Sequence, residues 1–322
     1  MSDVLEVVVD GIWCQGKRSL AIRLVAKGGE PLPGWQPGAH IDVHLPCGII
    51  RQYSLTGSNT TAESYLICVA RESDSRGGSR YIHETLRPGQ RLLISPPRNL
   101  FALQEADRVL LLAAGIGITP LYAMALHLEA AGRPFELHYY VKSRENAAFI
   151  RELTQPLRHG ACVIHRSDAG QSPRLTLADA IHAPESGTRL YACGPAGFMA
   201  AVREAALTAG WPETRIHTEA FQPLAMPAAS AEAETFTVTL ASSGESWPVP
   251  ANKSIAQVLM DNGVAVPLSC EMGICGACLT PVIDGDVDHR DTVQSEAEKT
   301  AARQHIALCC SRSRSGNLVI DL

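Results

Sequence analysis

This 322-residue chain has no long apolar run free of interruption, so no membrane span is expected. Val109 to Leu126 comes nearest, but Gly115, Gly117 and Pro120 break it. It reads as a buried strand, a tight turn and the start of a helix. The first ten residues lack the basic head of an export signal and carry Asp3, Glu6 and Asp10 instead, so the expected location is the cytoplasm. Without an oxidising compartment, the ten cysteines are not expected to form a disulfide framework. There is no basic excess either. Net charge is −5, and residues Glu234 to Leu322 hold all of it, with 6 Lys and Arg against 11 Asp and Glu; the remainder balances at 22 of each. An acidic module is a poor match for nucleic acid and a better one for a basic patch on another protein. Aromatics are few, at 5%, yet 46% hydrophobic and 19% charged residues leave no bias toward disorder or fibre.

The length points to two or three domains. Short runs at Val4–Val9, Ile22–Ala26, Ile41–Leu45 and Tyr65–Ala70, punctuated by Pro and Gly, predict a small antiparallel β-barrel over 1–102. From 103 to 224 the rhythm changes. Strands at Arg108–Ala113, Phe135–Val141, Cys162–Arg166, Arg189–Ala192 and Arg215–Ala220 alternate with helical stretches such as Leu121–Ala131 and Gly197–Leu207, the pattern of an α/β domain with a parallel sheet. The run QPLAMPAASAEAE, from Gln222, marks a linker, placed at 225–234. Residues 235–322 form a third, α+β domain, with strands at Phe236–Leu240, Ser246–Val249 and Leu318–Leu322 and a helix at Ile255–Asn262. The fold class is therefore multidomain, and no internal repeat is visible.

Five cysteines fall in the last 53 residues: Cys270, Cys275, Cys278, Cys309 and Cys310. The spacing Cys270-x4-Cys275-x2-Cys278 with a distant fourth thiolate is that of a plant-type 2Fe–2S centre. Three thiolates come from one tight loop, where Gly273, Gly276 and Ala277 let backbone N–H groups approach the sulfurs. Zinc fits less well, because it favours paired CxxC knuckles. Spacing alone leaves the fourth ligand open between Cys309 and Cys310.

Two glycine-bearing stretches read as anion cradles. Arg76-Gly77-Gly78-Ser79 opens a predicted helix running through His83 and Leu86, and glycines before a helix N-terminus expose N–H groups to a phosphate. Ala114-Gly115-Ile-Gly117-Ile-Thr119-Pro120 joins a strand to a helix. Both glycines admit a close backbone approach, Thr119 is placed to cap the helix and Pro120 suits its first turn.

These stretches carry a resemblance. Arg51-Gln-Tyr53-Ser54 resembles the RxYS motif of the ferredoxin–NADP reductase superfamily, AGIGITP resembles its GxGxTP turn, and Cys193-Gly194-Pro195 resembles its CGP motif. The tail from Pro267 is similar to plant-type ferredoxins, whose last ligand follows an apolar residue; that implies Cys309, after Leu308, and a β-grasp fold. In this order the modules resemble the phthalate dioxygenase reductase and vanillate demethylase reductase family. The resemblance implies an oxidoreductase that takes hydride from NADH and passes single electrons to a Rieske-type oxygenase serving aromatic catabolism. Arg51 would hold a flavin phosphate, with Gly77, Gly78 and Ser79 opposite. Tyr53 would lie against the flavin, and Ser54 would hydrogen-bond its edge near N5. Gly115, Gly117, Thr119, Pro120, Gly194 and Pro195 would cradle the pyridine nucleotide. Cys193 would stand beside the nicotinamide and Phe221 would stack on the flavin. Ser54, Cys193 and Phe221 are thus the residues expected around the reacting atoms, and Cys270, Cys275, Cys278 and Cys309 the metal ligands. The residues do not decide between FMN and FAD; the resemblance favours FMN. At Lys142-Ser143-Arg144, where an adenine ribose belongs, no acidic residue waits for a 2′-hydroxyl and the two cations would suit a 2′-phosphate; the resemblance favours NADH. Transient electrostatic docking on the oxygenase follows from the acidic third domain. The same reductase serving a non-oxygenase acceptor is the competing reading. A non-catalytic electron carrier fits poorly with two intact nucleotide motifs.

Overall fold

The computed structural model describes residues 4–58, 63–73, 75, 77–221, 235–294 and 296–322. Arg76 and the expected linker at 225–234 lie outside the described residues. The chain divides into two compact units, 1–221 and 222–322.

The first unit contains β1 (Leu5–Cys14), β2 (Ser19–Ala26), β3 (Ala39–His44), β4 (Ile50–Ser54), β5 (Ser64–Ala70), α1 (Gly78–Glu84), β6 (Arg91–Ile94) and β7 (Arg98–Asn99). There follow β8 (Arg108–Ala114), α2 (Ile118–Ala130), β9 (Phe135–Val141), α3 (Ile150–Leu153), β10 (Gly160–Arg166), α4 (Pro173–Ala180), β11 (Thr188–Cys193), α5 (Ala196–Thr208) and β12 (Ile216–Glu219). The second unit contains β13 (Phe236–Leu240), β14 (Ser246–Val249), α6 (Ile255–Asp261), β15 (Leu279–Asp284), β16 (Val287–Asp288), α7 (Glu296–Lys299), β17 (His305–Ala307), β18 (Arg312–Ser313) and β19 (Asn317–Ile320).

The first sheet runs β4-β3-β6-β1-β2-β5, antiparallel throughout, with β7 on β3. A bridge between Leu55 and Ile67, reinforced by Thr56 N–H to Leu66 O at 2.9 Å, brings its two ends together as a barrel. The strands alternate as their period of two demands. Val7, Val9, Ile22, Leu24, Ile41, Val43 and Ile94 are sealed inside, each contributing about 1.5–3 kcal/mol of apolar burial.

The second sheet is parallel, in the order β10-β9-β8-β11-β12. Its central strand, RVLLLAA, is nearly all apolar because both faces are covered. Leu111 packs with α2, while Leu110 and Leu112 pack with α4 and α5. Strand order reverses between β8 and β11, and ligands of such sheets bind beyond the carboxyl ends at that point. The helix α2 begins at Ile118, three residues before the expected start, because Pro120 is tolerated in a first turn.

The barrel and the parallel sheet are tied directly. Gln15, in the β1–β2 turn, accepts a hydrogen bond from Phe149 N at 2.9 Å, and Lys17 N donates to Glu145 O at 2.7 Å. Phe149 has φ of 56°, which is uncommon for a bulky residue. Its ring stacks on Tyr122 at 4.5 Å, and its buried neighbours hold it there.

The second unit is a five-stranded mixed sheet, β14-β13-β19-β15-β17, with β13 parallel to β19. The helix α6 lays Ile255, Val258 and Leu259 into its core. Ser254 and Gln257 form a reciprocal capping box at its start. This is the β-grasp arrangement. Among the described residues no helix is long and apolar enough to cross a membrane.

Candidate functional site

In the barrel, RQYS forms β4, so Arg51 and Tyr53 fall on one side of the strand and Ser54 on the other. Across the ladder Ser54 pairs with His40, and it is buried. Tyr53 packs against the barrel core, and burial pushes its phenol up. The stem of Arg51 lies on Gly78: a Cβ there would sit 2.7 Å from Arg51 Cγ. Gly77 has φ of 98°, and a Cβ on it would meet Ile49. The structure therefore brings the Arg51 strand and the Gly77–Gly78 turn together, with glycine required for the contact. Ser79 is partly spent locally, since its hydroxyl donates to Ser75 Oγ at 2.9 Å and accepts from Glu72 N. His83 Nε2 sits 2.9 Å from Val69 O and anchors α1 to β5.

At the switch point the two remaining glycine motifs meet. Gly117, in the turn after β8, is packed against the peptide that follows β11. A Cβ there would stand 2.7 Å from Gly194 N and closer still to the Cys193 carbonyl. A Cβ on Gly194 would meet Ala114 and Phe198 in turn. Gly115 has φ of 57° with open space around it, so it serves the turn rather than a close approach. Pro195 is the N-cap residue of α5. Thr119 differs from expectation. The N-cap position of α2 is Gly117, and the Thr119 hydroxyl donates to Ile116 O at 3.1 Å, because Thr119 lies inside the first turn where a side chain reaches back to the preceding carbonyls.

Cys193 ends β11 fully buried, and its thiol is pushed well up, mainly by burial and further by Glu219. Phe221 packs on the same apolar cluster as Cys193, Tyr122 and Phe149. Glu219 pairs with Cys193 across the β11–β12 ladder. The residue keeps some exposure, yet its Oε2 is buried without a hydrogen-bond partner, and burial pushes the carboxyl up to about 8. The place of this carboxyl, one strand from Cys193, is visible only once the strands pair. Ser143 accepts from Asn146 Nδ2 at 2.7 Å. With Arg144 it lines a cleft of about 780 Å³ that also takes in Trp13 and Gly16 of the barrel.

The four predicted metal ligands lie in the second unit. Cys270, Cys275 and Cys278 are buried and Cys309 is half-buried. Cys270 is within hydrogen-bond reach of both Cys275 and Cys309, and Cys278 of Cys309. Accepting these bonds pushes Cys270 and Cys278 down, and donating them pushes Cys275 and Cys309 up. Backbone N–H groups are aimed at the sulfurs, Met272 N at Cys270 Sγ (3.3 Å) and Ala277 N at Cys275 Sγ (3.4 Å). Among the described residues no three His, Cys, Asp or Glu side chains are arranged to hold one metal ion; a plant-type two-iron cluster draws on four thiolates. Cys310 is also within hydrogen-bond reach of Cys309, and its sulfur lies 3.8 Å from Ser311 Oγ and beside Gly273.

Comparison with known proteins adds the following. Residues 238–314 match the family described as 2Fe-2S iron-sulfur cluster binding domain, and residues 92–216 match the N-terminal domain of dimethylamine monooxygenase subunit DmmA-like proteins. Over 320 residues the chain is 42% identical to the vanillate O-demethylase oxidoreductase of Pseudomonas sp. (strain HR199 / DSM 7063), covering 99% of this chain and 100% of that protein. It is 40% identical to the heme-dependent oxidative N-demethylase beta subunit of Ectopseudomonas mendocina (strain ymp), over 90% of each. Among solved structures, phthalate dioxygenase reductase, described as a modular structure for electron transfer from pyridine nucleotides to [2Fe-2S], superposes with a TM-score of 0.74 at 35% identity, over 99% of this chain and 98% of that one.

Proposed function

The chain belongs to the vanillate O-demethylase oxidoreductase family, and from that premise we propose that it carries electrons from NADH, through FMN and a 2Fe–2S cluster, to a separate Rieske-type oxygenase. The observation that carries this reading is the junction of Gly117 with the Cys193–Gly194 peptide at the strand-order switch, in a chain that also gathers four thiols in its ferredoxin unit.

The flavin supplies the exchange between a two-electron donor and one-electron acceptors, and the cluster holds single electrons for delivery. The work of the side chains is positioning. Arg51 and the Gly77–Gly78 turn hold the flavin phosphate, Tyr53 lies against the flavin and Ser54 bonds its edge. Gly115, Gly117, Gly194 and Pro195 give the dinucleotide a backbone surface, while Ser143 and Arg144 meet its adenosine half. Cys193 and Phe221 wall the place where nicotinamide and flavin meet. Glu219, its carboxyl pushed up by burial, completes that wall.

The setting is cytoplasmic, with neither nucleic acid nor membrane as partner. The acidic excess of the C-terminal part favours transient docking on a basic patch of the oxygenase. The test is to reduce the protein with NADH and mix it with purified Rieske oxygenase and, separately, with a heme oxygenase. Reduction of the Rieske centre, at a rate that falls as salt rises, is expected. Transfer to the heme protein alone would overturn the partner, and a rate indifferent to salt would overturn the electrostatic docking. The heme arm is included because a relative is a subunit of a heme-dependent N-demethylase.

A further inference from the structure

Between the cysteine loop and the turn that carries Cys309 runs a strap, residues 288–294, whose side chains the mechanism leaves unused. It holds three buried or nearly buried polar residues, His289, Asp291 and Gln294, and buried Ser311 faces them from the Cys309 turn. Polar groups are placed in such an interior at a cost unless each finds a partner, and here the partners join two separate parts of the ligand set. On one side, Thr292 N donates to Gly273 O at 2.9 Å, inside the Cys270–Cys275 loop. Gly273 has φ of 72°, and a Cβ on it would lie 3.0 Å from Asp291 Cα and 2.5 Å from Cys310 Sγ, so loop, strap and Cys309 turn touch at one residue. On the other side, Asp291 Oδ1 accepts from Ser311 Oγ at 3.4 Å, and Ser311 Oγ accepts from Arg290 N at 3.0 Å. Gln294 braces the arrangement. Its N–H donates to Asp291 Oδ2 (3.0 Å), and its amide Nε2 donates to Asp291 Oδ1 (3.2 Å) and to His305 O (3.2 Å). Ser311 N and Cys310 N both donate to Ala307 O, closing the turn around Cys309.

The geometry points to Asp291 as a positioning residue for the iron–sulfur centre. Its carboxylate binds Ser311 of the fourth-ligand turn and Gln294, while its own strap is bonded to the three-cysteine loop through Thr292 N. It thereby ties turn to loop, and its charge, held in a buried site beside both, helps set the potential at which the cluster takes an electron. An anion near a centre that gains negative charge on reduction disfavours the reduced form, and the low dielectric of an interior strengthens that effect. Nothing here requires Asp291 to touch iron or to change protonation. The inference rests on the reading of Cys270, Cys275, Cys278 and Cys309 as cluster ligands.

The experiment is an EPR-monitored potentiometric titration of the full-length, cluster-loaded protein as parent, Asp291→Asn and Asp321→Asn. Asp321 is an exposed carboxylate of the same unit, and its variant controls for net charge. The expected result for Asp291→Asn is an iron content equal to the parent, an altered EPR line shape, and a midpoint raised so that the reduced-to-oxidised ratio at a fixed potential grows about tenfold, which is ~59 mV for one electron. Asp321→Asn should stay at the parent value. A midpoint and line shape unchanged in Asp291→Asn, or an equal shift in Asp321→Asn, would overturn the inference. If Asp291→Asn assembles no cluster, Ser311→Ala decides. That variant keeps the carboxylate, and it should lose iron to a chelator several-fold faster than the parent at the same far-UV circular dichroism; an equal rate of loss would overturn the inference. A parent protein with no EPR signal on reduction would instead refute the ligand assignment on which the inference stands.

Discussion

Replacing Gly117 with alanine would place a Cβ 2.7 Å from Gly194 N, where ordinary contact begins near 3.4 Å, and still nearer the Cys193 carbonyl. Both neighbours are backbone, so neither can swing aside as a long side chain would. The turn after β8 and the end of β11 must part by about 0.7 Å, the difference of those two distances, or more. Overpacking of this kind costs ~1–3 kcal/mol, or roughly 3–9 °C in Tm for a unit of this size. On the proposed reading, the parting occurs where the nicotinamide and the flavin are brought into register. A misplacement approaching 1 Å there lowers the rate by ~100-fold, equivalent to about 2.7 kcal/mol of barrier. The assay is steady-state NADH oxidation with ferricyanide as acceptor, read as kcat/KM beside a thermal melt and the flavin content. Gly117→Ala should lose about two orders of magnitude in kcat/KM while retaining its flavin, which is held by a different part of the unit. Gly115→Ala is the comparator: its Cβ would meet nothing within 4 Å, but its φ is 57°. It should lose ~1–2 kcal/mol of stability with less than a tenfold change in kcat/KM. Parent-like kcat/KM and Tm in Gly117→Ala would refute the reasoning.

Three further outcomes are expected. Glu219, with its folded carboxyl raised from 4.5 to about 8, binds a proton in the folded state that the unfolded chain has already released, so its contribution to stability is whole below pH 4.5 and is lost as pH rises through about 8. Glu219→Gln should flatten both the melting profile over that window and any fall in NADH kcat/KM above pH 8, and an unaltered profile would contradict its placement. His165, stacked between His138 and Tyr140, is lowered from 6.5 to about 4, chiefly by burial and also by His138. It stays neutral when folded, so stability should drop as pH falls from 6.5 toward 4, and His165→Phe should show a shallower acid slope in urea melts. Cys309→Ser should abolish the cluster absorption and Cys310→Ser should keep it; the reverse result would reassign the fourth ligand.

The legible parts of the sequence were those in which local pattern and tertiary role agree. The strand β9 falls where its apolar run placed it, Phe135–Val141, because a strand covered on both faces is apolar throughout. The barrel followed from alternation, and the cysteine spacing pointed to the cluster without any structure. Other features depend on pairings between distant segments. The strand β15 is not visible in the sequence, where Pro281 argues against a strand; here it lies between β19 and β17, with Pro281 opposite His305 of β17. The Glu219 carboxyl becomes a feature of the site only when β12 is laid against β11. Thr119 was read as a cap from its position before Pro120, yet the turn after β8 tightens so that Gly117 takes that place. The Asp291 strap looks like an acidic loop in sequence, and its neighbours, Gly273 and Ser311, are 18 residues before and 20 after it.

The central claim is an electron path from NADH through flavin to cluster within one chain, and a visible spectrum taken under anaerobic conditions before and after NADH tests it most directly, with NADPH run in parallel. The account predicts that NADH bleaches both the flavin and the 2Fe–2S bands and that NADPH does so far more slowly. Bleaching of the flavin bands alone would contradict the path to the cluster, and no bleaching by either nucleotide would contradict the reductase reading itself.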